Sequence, residues 1–338
     1  MDRASMSSPV DMDVVVPAHN AEATLAVCLD ALLNAGALQE RIVVVDDGST
    51  DATGDIARRH GVRIVRNETA LRPARARNRG VEEVGGDIVL FVDADVVLAR
   101  DALARIARHF EDPSATAVIG SYDAAVPDRP RVSRYRNLLH HYVHQKSPGQ
   151  AETFWTGIGA VRRDMFLAAG GFDPDWESIE DVEFGLRLRK CGGHIRLDPA
   201  IRGMHLKIWT LMSFLRTDFR GRAIPWARLI REGRIKAGTL NTARSHRMSA
   251  LSVLAVVGGL AFLPVWPLAA PMAVAGAGAF VALNAGFFGF VGRTGGASLL
   301  AVAIPCHAAH YLSALAGYIV GRYAPDVGRA RRRAARAS

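Results

Sequence analysis

Asp93-Ala94-Asp95 closes an apolar run, Ile88-Val89-Leu90-Phe91-Val92. A continuous β-branched and apolar run reads as a buried parallel strand, and the chain leaves the core where it ends. In extended backbone, carboxylates at i and i+2 point the same way, about 6.5 Å apart at Cα. Hard oxygen donors at that spacing suit Mg²⁺ or Mn²⁺ bridging to a diphosphate. A strand followed by an acidic turn has the same composition, so the pair needs company to count as a site.

Company comes from two earlier strand exits. Arg41 to Val45 runs into Asp46-Asp47-Gly48-Ser49-Thr50-Asp51, and Asp13 to Val16 runs into Pro17-Ala18-His19-Asn20-Ala21-Glu22. Helical stretches, roughly Ala23 to Asn34 and Asp51 to His60, separate them. This β-α-β-α-β order predicts a parallel sheet with right-handed crossovers. All three loops then gather at the carboxyl edge, where open α/β sheets bind ligands. Asp46 and Asp47 can accept hydrogen bonds from a base N–H or a ribose hydroxyl; a plain turn with a helix cap would read alike. After a third short strand, Val62 to Val65, the stretch Leu71 to Gly80 opens a helix carrying Arg72, Arg75, Arg77 and Arg79. Helix N-termini favour anions and guanidinium forks fit phosphate, although Arg72, Arg75 and Arg79 equally suit a solvated face. Glu180-Asp181 heads another helical run, Val182 to Arg189, where an acidic pair serves as a helix cap or as a proton acceptor.

In order along the chain, Val15-Val16-Pro17-Ala18-His19-Asn20, Val44-Val45-Asp46-Asp47-Gly48-Ser49-Thr50-Asp51, Ala76-Arg77-Asn78-Arg79-Gly80 and Asp93-Ala94-Asp95 resemble a family 2 glycosyltransferase of the GT-A fold. Gly157 to Arg163, Gly170-Gly171-Phe172-Asp173 and Glu180 to Leu188 continue the pattern, so the resemblance covers about residues 11 to 210. It implies an α/β domain with a mostly parallel sheet flanked by helices, and inverting transfer of a sugar from a nucleotide-sugar donor. Pro17, His19, Asn20 and Glu22 would wrap the base and ribose, with Asp46 or Asp47 reading the base. Arg77 matches the Arg of the Ala-Arg-Asn motif, and Asp93 and Ala94 complete the donor contacts. Asp95 would hold Mg²⁺ or Mn²⁺, with Asp93 on ribose or metal and His205 near the same ion. Asp181 would be the catalytic base, with Glu180 the alternate. Single displacement needs one such carboxylate and a metal for the leaving diphosphate, and no covalent nucleophile. Gly170 to Asp173 would form the acceptor side, and Trp155, Phe172 and Trp176 either stack on a sugar or lipid head group or lie in the core. The Gln-x-x-Arg-Trp signature of processive synthases is absent, which favours transfer of single sugars.

The composition changes sharply after about residue 245. Met248 to Val265, Pro267 to Phe290 and Ala297 to Val320 carry almost no charge, and about 20 apolar residues span a bilayer. Up to three membrane helices are expected, giving a catalytic domain over 1–208, a basic interfacial linker over 209–247, a transmembrane region over 248–322 and a basic tail over 323–338. Within the linker, Trp209 to Arg231 reads as an interfacial helix or two, broken at Pro225. The net charge of +9 concentrates between Arg216 and Arg247 and between Arg329 and Arg336. Basic segments beside membrane helices attract anionic lipids; no nucleic-acid recognition pattern accompanies them. No secretory leader pattern is visible, so the catalytic domain is expected on the cytoplasmic side of the cell membrane, in a multi-pass protein acting on a lipid or polyprenyl-linked acceptor. Cys28, Cys191 and Cys306 form no C-x-x-C pair, and His140-His141-Tyr142-Val143-His144 lacks the neighbours a zinc site wants. A sugar nucleotidyltransferase would need a Gly-rich loop after the first strand, and an ATPase a Gly-x-x-x-x-Gly-Lys loop; neither is present. A non-catalytic membrane scaffold of the same fold is the remaining alternative.

Overall fold

A computed structural model describes residues 11–125, 129–176, 178–235, 244–267 and 269–323, which leaves the expected basic tail after Tyr323, and residues 236–243 of the linker, outside the described residues. The chain divides into two compact units, one within Met1–Val126 and Val143–Lys207, the other within Pro127–Tyr142 and Ile208–Ser338. The second unit thus takes a stretch from inside the expected 1–208 domain.

In chain order the first unit contains β1 (Met12–Ala18), α1 (Leu25–Asn34), β2 (Ile42–Asp46), α2 (Thr53–Arg59), β3 (Arg63–Arg66), α3 (Pro73–Glu82), β4 (Ile88–Val92), β5 (Val96–Leu98), α4 (Ala102–Phe110) and β6 (Ala117–Tyr122). Helix α5 (Arg131–Gln145) follows, then β7 (Gly149–Ala151), β8 (Ile158–Arg162), α6 (Arg163–Ala168), α7 (Glu180–Lys190) and β9 (Ile195–His205). The strands form one sheet in the order β3-β2-β1-β4-β8-β6-β9-β5, with β7 also paired to β9. β3, β2, β1 and β4 are parallel, as the sequence predicts. Beyond β4 the sheet is mixed, because β8 runs antiparallel to both β4 and β6.

The continuous apolar runs are explained by cover on both faces. Val14, Val16, Val44, Leu90 and Val92 pack with Leu25, Leu29 and Ile106, while Val15, Val43, Val45, Val89 and Phe91 pack with Ala76, Val81, Phe166, Phe172 and Phe184. Strand side chains alternate between faces, so two buried faces remove the polar positions. The chain moves from β1 outward to β2 and β3, then returns to β4 on the other side of β1. That reversal makes the carboxyl ends of β1 and β4 the crevice for ligands. On the far side, β5 pairs antiparallel with β9, putting Val96 opposite His205, and the Leu206 amide donates to the Asp95 carbonyl at 2.7 Å. Helix α7 approaches the 153–154 backbone so closely that a Cβ on Gly185 would lie 2.2 Å from the Phe154 nitrogen. Only glycine permits that approach, and it sets where the first turn of α7 sits.

The second unit is helical: α8 (Leu211–Arg216), a π-helical stretch Thr217–Ala223, α9 (Ile224–Arg231), α10 (Arg244–Phe262), α11 (Ala269–Leu283) and α12 (Ala285–Tyr323). The expected break at Pro225 takes the form of a change of helix type, from a π-helical stretch to α9. Pro225 sits in the first turn of α9, where no N–H is needed, and the backbone widens into the π-helical stretch before it. The apolar segment Pro267 to Phe290 is divided: α11 has 15 residues and ends at Leu283. At 1.5 Å per residue it is about 22 Å long, short of a hydrocarbon core of about 30 Å. Two helices among the described residues are long and apolar enough to cross a membrane, α10 and α12, and α12 is kinked at Gly296 (φ 72°). Asn284 lies between α11 and α12; its side-chain amide donates to the Ser249 hydroxyl at 3.1 Å and accepts from His307 Nε2 at 3.1 Å. The Tyr135 hydroxyl then donates to His307 Nδ1 at 3.0 Å. Buried Asp218 pairs with Arg136 at 2.8 Å and with His310 at 2.6 Å.

Candidate active site

Arg77 lies on α3 and is buried. One terminal nitrogen donates to Glu180 Oε1 at 2.6 Å and the other to Asp93 Oδ1 at 2.7 Å. Burial opposes its charge, but the two carboxylates outweigh that and hold the guanidinium more firmly protonated than usual. The end of β4 and the start of α7 are therefore tied together through α3. Asn78, the next residue, closes a second link: its amide donates to the Phe172 carbonyl at 2.8 Å and accepts from the Phe172 amide at 2.9 Å. It holds the Gly170 to Asp173 turn.

This bridge separates two adjacent carboxylates into different roles. Glu180 is ion-paired with Arg77. Asp181 receives the Val182 amide at 2.8 Å and two long contacts from Thr156, at 3.4 and 3.5 Å. Burial, and then the charge of Glu180, push its carboxyl up to about 7. A carboxyl titrating near neutrality is suited to general-base work. The guanidinium of Arg77 faces Asp93 and Glu180.

Asp95 and His205 meet at the end of β4, with Asp95 Oδ2 3.5 Å from His205 Nε2. Burial pushes the Asp95 carboxyl up, yet the His205 contact and Lys207 bring it below the usual range. Two ligands at Mg²⁺ distances and right angles to one another lie about 3 Å apart, so this pair fits one ion with a slightly wider angle. No group of three or more His, Cys, Asp or Glu gathers for a metal among the described residues. A divalent ion here would take its remaining ligands from diphosphate and water, the usual habit of Mg²⁺. Asp93 leaves one oxygen without a hydrogen bond among the described residues, while Ala94 is buried and can offer a ligand only its backbone.

The loops after β1 and β2 are laced to each other. His19 Nδ1 donates to the Asp47 carbonyl at 2.8 Å. Asn20, at φ 49°, accepts from the Thr50 amide at 2.9 Å, and its own amide donates to Ser49 Oγ at 3.0 Å. Glu22 accepts from the Ala52 amide at 3.1 Å. Pro17 is half-buried at the end of β1. Asp46 is fully buried and accepts from the Ser49 amide and from Arg66, both at 2.9 Å. It anchors the loop and has no exposed oxygen with which to read a base. Asp47 accepts from Asn67, Leu71 and Arg72, at 2.7, 2.8 and 2.9 Å. A carboxylate has about four acceptor sites, so Asp47 alone of the two retains capacity. It also fixes Arg72 at φ 76°, a backbone angle L-residues avoid. Thr156, Arg66 and Asn67 carried no sequence signal, since each is defined only by what the fold brings to it. Phe172 and Trp176 are buried, and Trp155 is half-buried.

Residues 13–170 match the family described as Glycosyl transferase family 2. An uncharacterized protein of Mycobacterium tuberculosis is 35% identical over 195 residues, which are 52% of this chain and 61% of that protein. The pre-mycofactocin glycosyltransferase of Mycobacterium tuberculosis is 28% identical over 198 residues, covering 56% of this chain and 41% of the relative. The chain thus spans between 41% and 61% of the length of these curated relatives. A mannosyltransferase from Pyrobaculum calidifontis, solved with GDP-Man and Mn²⁺, superimposes with a TM-score of 0.52 at 20% identity, covering 93% of this chain and 87% of the other. That likeness establishes the GT-A fold.

Replacing Arg77 tests the bridge. Arg77→Lys keeps the charge but cannot reach two carboxylates in fixed directions. Breaking a buried pair by removing one partner costs about 3–5 kcal/mol, so Arg77→Met should lower the chemical-denaturation midpoint strongly and Arg77→Lys by a smaller but clear amount. Wild-type midpoints in both variants would show that the bridge does not hold the site.

Proposed function

We propose, from the premise that this chain carries a family 2 glycosyltransferase domain, that it transfers a sugar from a nucleotide-diphosphate sugar to an acceptor hydroxyl with inversion at the anomeric carbon. The observation that carries the reading is the Arg77 bridge. It leaves Asp181 as a half-buried carboxyl raised to about 7, beside an ion-paired Glu180, at the sheet edge that also holds the Asp95–His205 pair. In this reading the acceptor O–H gives its proton to Asp181 while its oxygen bonds to the anomeric carbon. The bond from that carbon to the diphosphate oxygen breaks on the opposite face, and no covalent enzyme intermediate is required. Asp95 and His205 would hold Mg²⁺ or Mn²⁺, which when bound neutralises charge on the leaving diphosphate. Asp93 would meet the ion or the ribose with its remaining oxygen, and His19, Asn20 and Asp47 would border the base.

The mannosyltransferase of the same fold binds GDP-Man and Mn²⁺, which makes GDP-sugars with Mn²⁺ a natural first arm of a donor panel beside UDP- and dTDP-sugars. The acceptor we favour is a lipid or polyprenyl-linked hydroxyl at a membrane face, with single-sugar transfer. Support comes from the two long apolar helices and from α8, whose Leu211 and Met212 are 53% and 73% exposed near Arg216. Apolar side chains of this kind enter the lipid interface while arginines reach head groups. A multi-pass protein with its catalytic unit on the cytoplasmic side is the arrangement we propose. The sugar nucleotidyltransferase alternative lacks a Gly-rich loop after β1, where Pro17 to Glu22 stands. A scaffold without activity would show no donor hydrolysis with any sugar nucleotide.

Nucleotide binding should depend on the metal. In calorimetric titrations with UDP and GDP, Mn²⁺ should tighten binding to the wild type, and Asp95→Asn should abolish most of that gain; equal affinity with and without Mn²⁺ would remove the metal from the account. Chemistry should fail without Asp181 while binding survives. Asp181→Asn should lower turnover by about 10²–10⁴-fold with nucleotide affinity near wild type. Near-normal turnover in Asp181→Asn together with a dead, folded Glu180→Gln would transfer the role of base to Glu180.

A further inference from the structure

Tyr122 ends β6 and is buried. Its ring lies 4.2 Å from the His205 imidazole with the two planes 5° apart, a face-to-face stack. Trp155 stands edge-on to Tyr122 at 4.7 Å, and His144 stands edge-on to Trp155 at 5.2 Å. The strand register explains the stack. Tyr122 is directly opposite Gly203 on β9, so no side chain stands between its ring and the diagonal neighbour His205.

A metal-binding imidazole needs a fixed ring plane. The usual device is a hydrogen bond from the distal ring nitrogen to a carboxylate or carbonyl. Among the described residues no hydrogen bond reaches Nδ1 of His205, whose polar contact is Asp95 at Nε2. The ring torsion of histidine is broad when nothing restrains it, and a stacked aromatic surface restrains that torsion. We infer that Tyr122 is a positioning residue for the Asp95–His205 pair: its ring holds the His205 imidazole in the plane from which Nε2 faces Asp95, with Trp155 as the backstop. The inference rests on the proposed metal reading and adds to it a residue that touches neither ion nor substrate.

The experiment uses the full-length chain. Mn²⁺ is titrated in the presence of UDP and, separately, GDP, and binding is followed by loss of the free-ion EPR signal. Loss of an outer-shell partner weakens metal binding by about 10–100-fold. Tyr122→Leu should therefore raise the Mn²⁺ dissociation constant at least about tenfold, while turnover at saturating Mn²⁺ stays close to wild type. Tyr122→Phe keeps the stack and should bind Mn²⁺ like the wild type. Trp155→Leu, at a half-buried position, should fall between them, and it decides the matter if Tyr122→Leu does not fold. Wild-type Mn²⁺ affinity in folded Tyr122→Leu, or in Trp155→Leu where the former is lost, overturns the inference. Equal losses in the Phe and Leu variants overturn it too, because they assign the effect to the hydroxyl. His205→Ala separates the two levels: if it binds Mn²⁺ like the wild type, the metal reading itself falls, whereas a weak His205→Ala beside a silent Tyr122→Leu removes only Tyr122.

Discussion

One buried guanidinium sets the terms for the rest of the site. Arg77 has a single cationic group between two carboxylates from distant parts of the chain, Asp93 and Glu180. A buried charge is tolerated only when paired, and a pair so formed is costly to break from either side. The end of β4 and the start of α7 are thereby obliged to meet at α3. The same bond gives two neighbouring acids unlike chemistry. Glu180 is paired with Arg77, and burial, together with the charge of Glu180, keeps Asp181 reluctant to ionise. A carboxyl that titrates near neutrality stands beside the Arg77–Glu180 pair.

The supporting shell follows the same logic of fixing one group through another. Asn78 imitates a strand by bonding both backbone groups of Phe172. Gly185 lets α7 approach the 153–154 backbone, which brings Thr156 to Asp181. Asp46 and Asp47 bind the loops after β2 instead of presenting both carboxylates outward. In the second unit, Asn284 finds partners in Ser249 and His307, and Asp218 is paired with Arg136 and His310. Polar groups among apolar helices are expensive unless bonded, and these are bonded to one another.

The parallel half of the sheet was legible because Val14 to Val16, Ile42 to Val45 and Ile88 to Val92 are short apolar runs ending in polar loops, and period and punctuation are local properties. The ordered motifs singled out Asp93, Asp95 and Asp181 as candidates, and the resemblance added His205, which lies 3.5 Å from Asp95. Partners were not legible. The sequence shows Arg77 in an Arg-rich helix start, which suggests phosphate; only the fold brings Glu180, 103 positions away, to claim it. Asp46 reads as a ligand residue until Arg66 and the Ser49 amide are seen on it. Within the apolar stretch the sequence allowed two to three membrane helices, and composition alone does not show that Pro267 to Phe290 is shared between α11 and the start of α12.

The central claim is that Asp181, isolated by the Arg77–Glu180 pair, is the base. The most direct measurement is the pH dependence of kcat/KM for the acceptor, which reports groups of the free enzyme. Because the base must be ionised to act, activity should rise with pH along an acid limb centred at about 7, and the residual activity of Asp181→Asn should lack that limb. A limb near 4, the range of an ordinary carboxylate, or a limb at about 7 that persists in Asp181→Asn, would contradict the account.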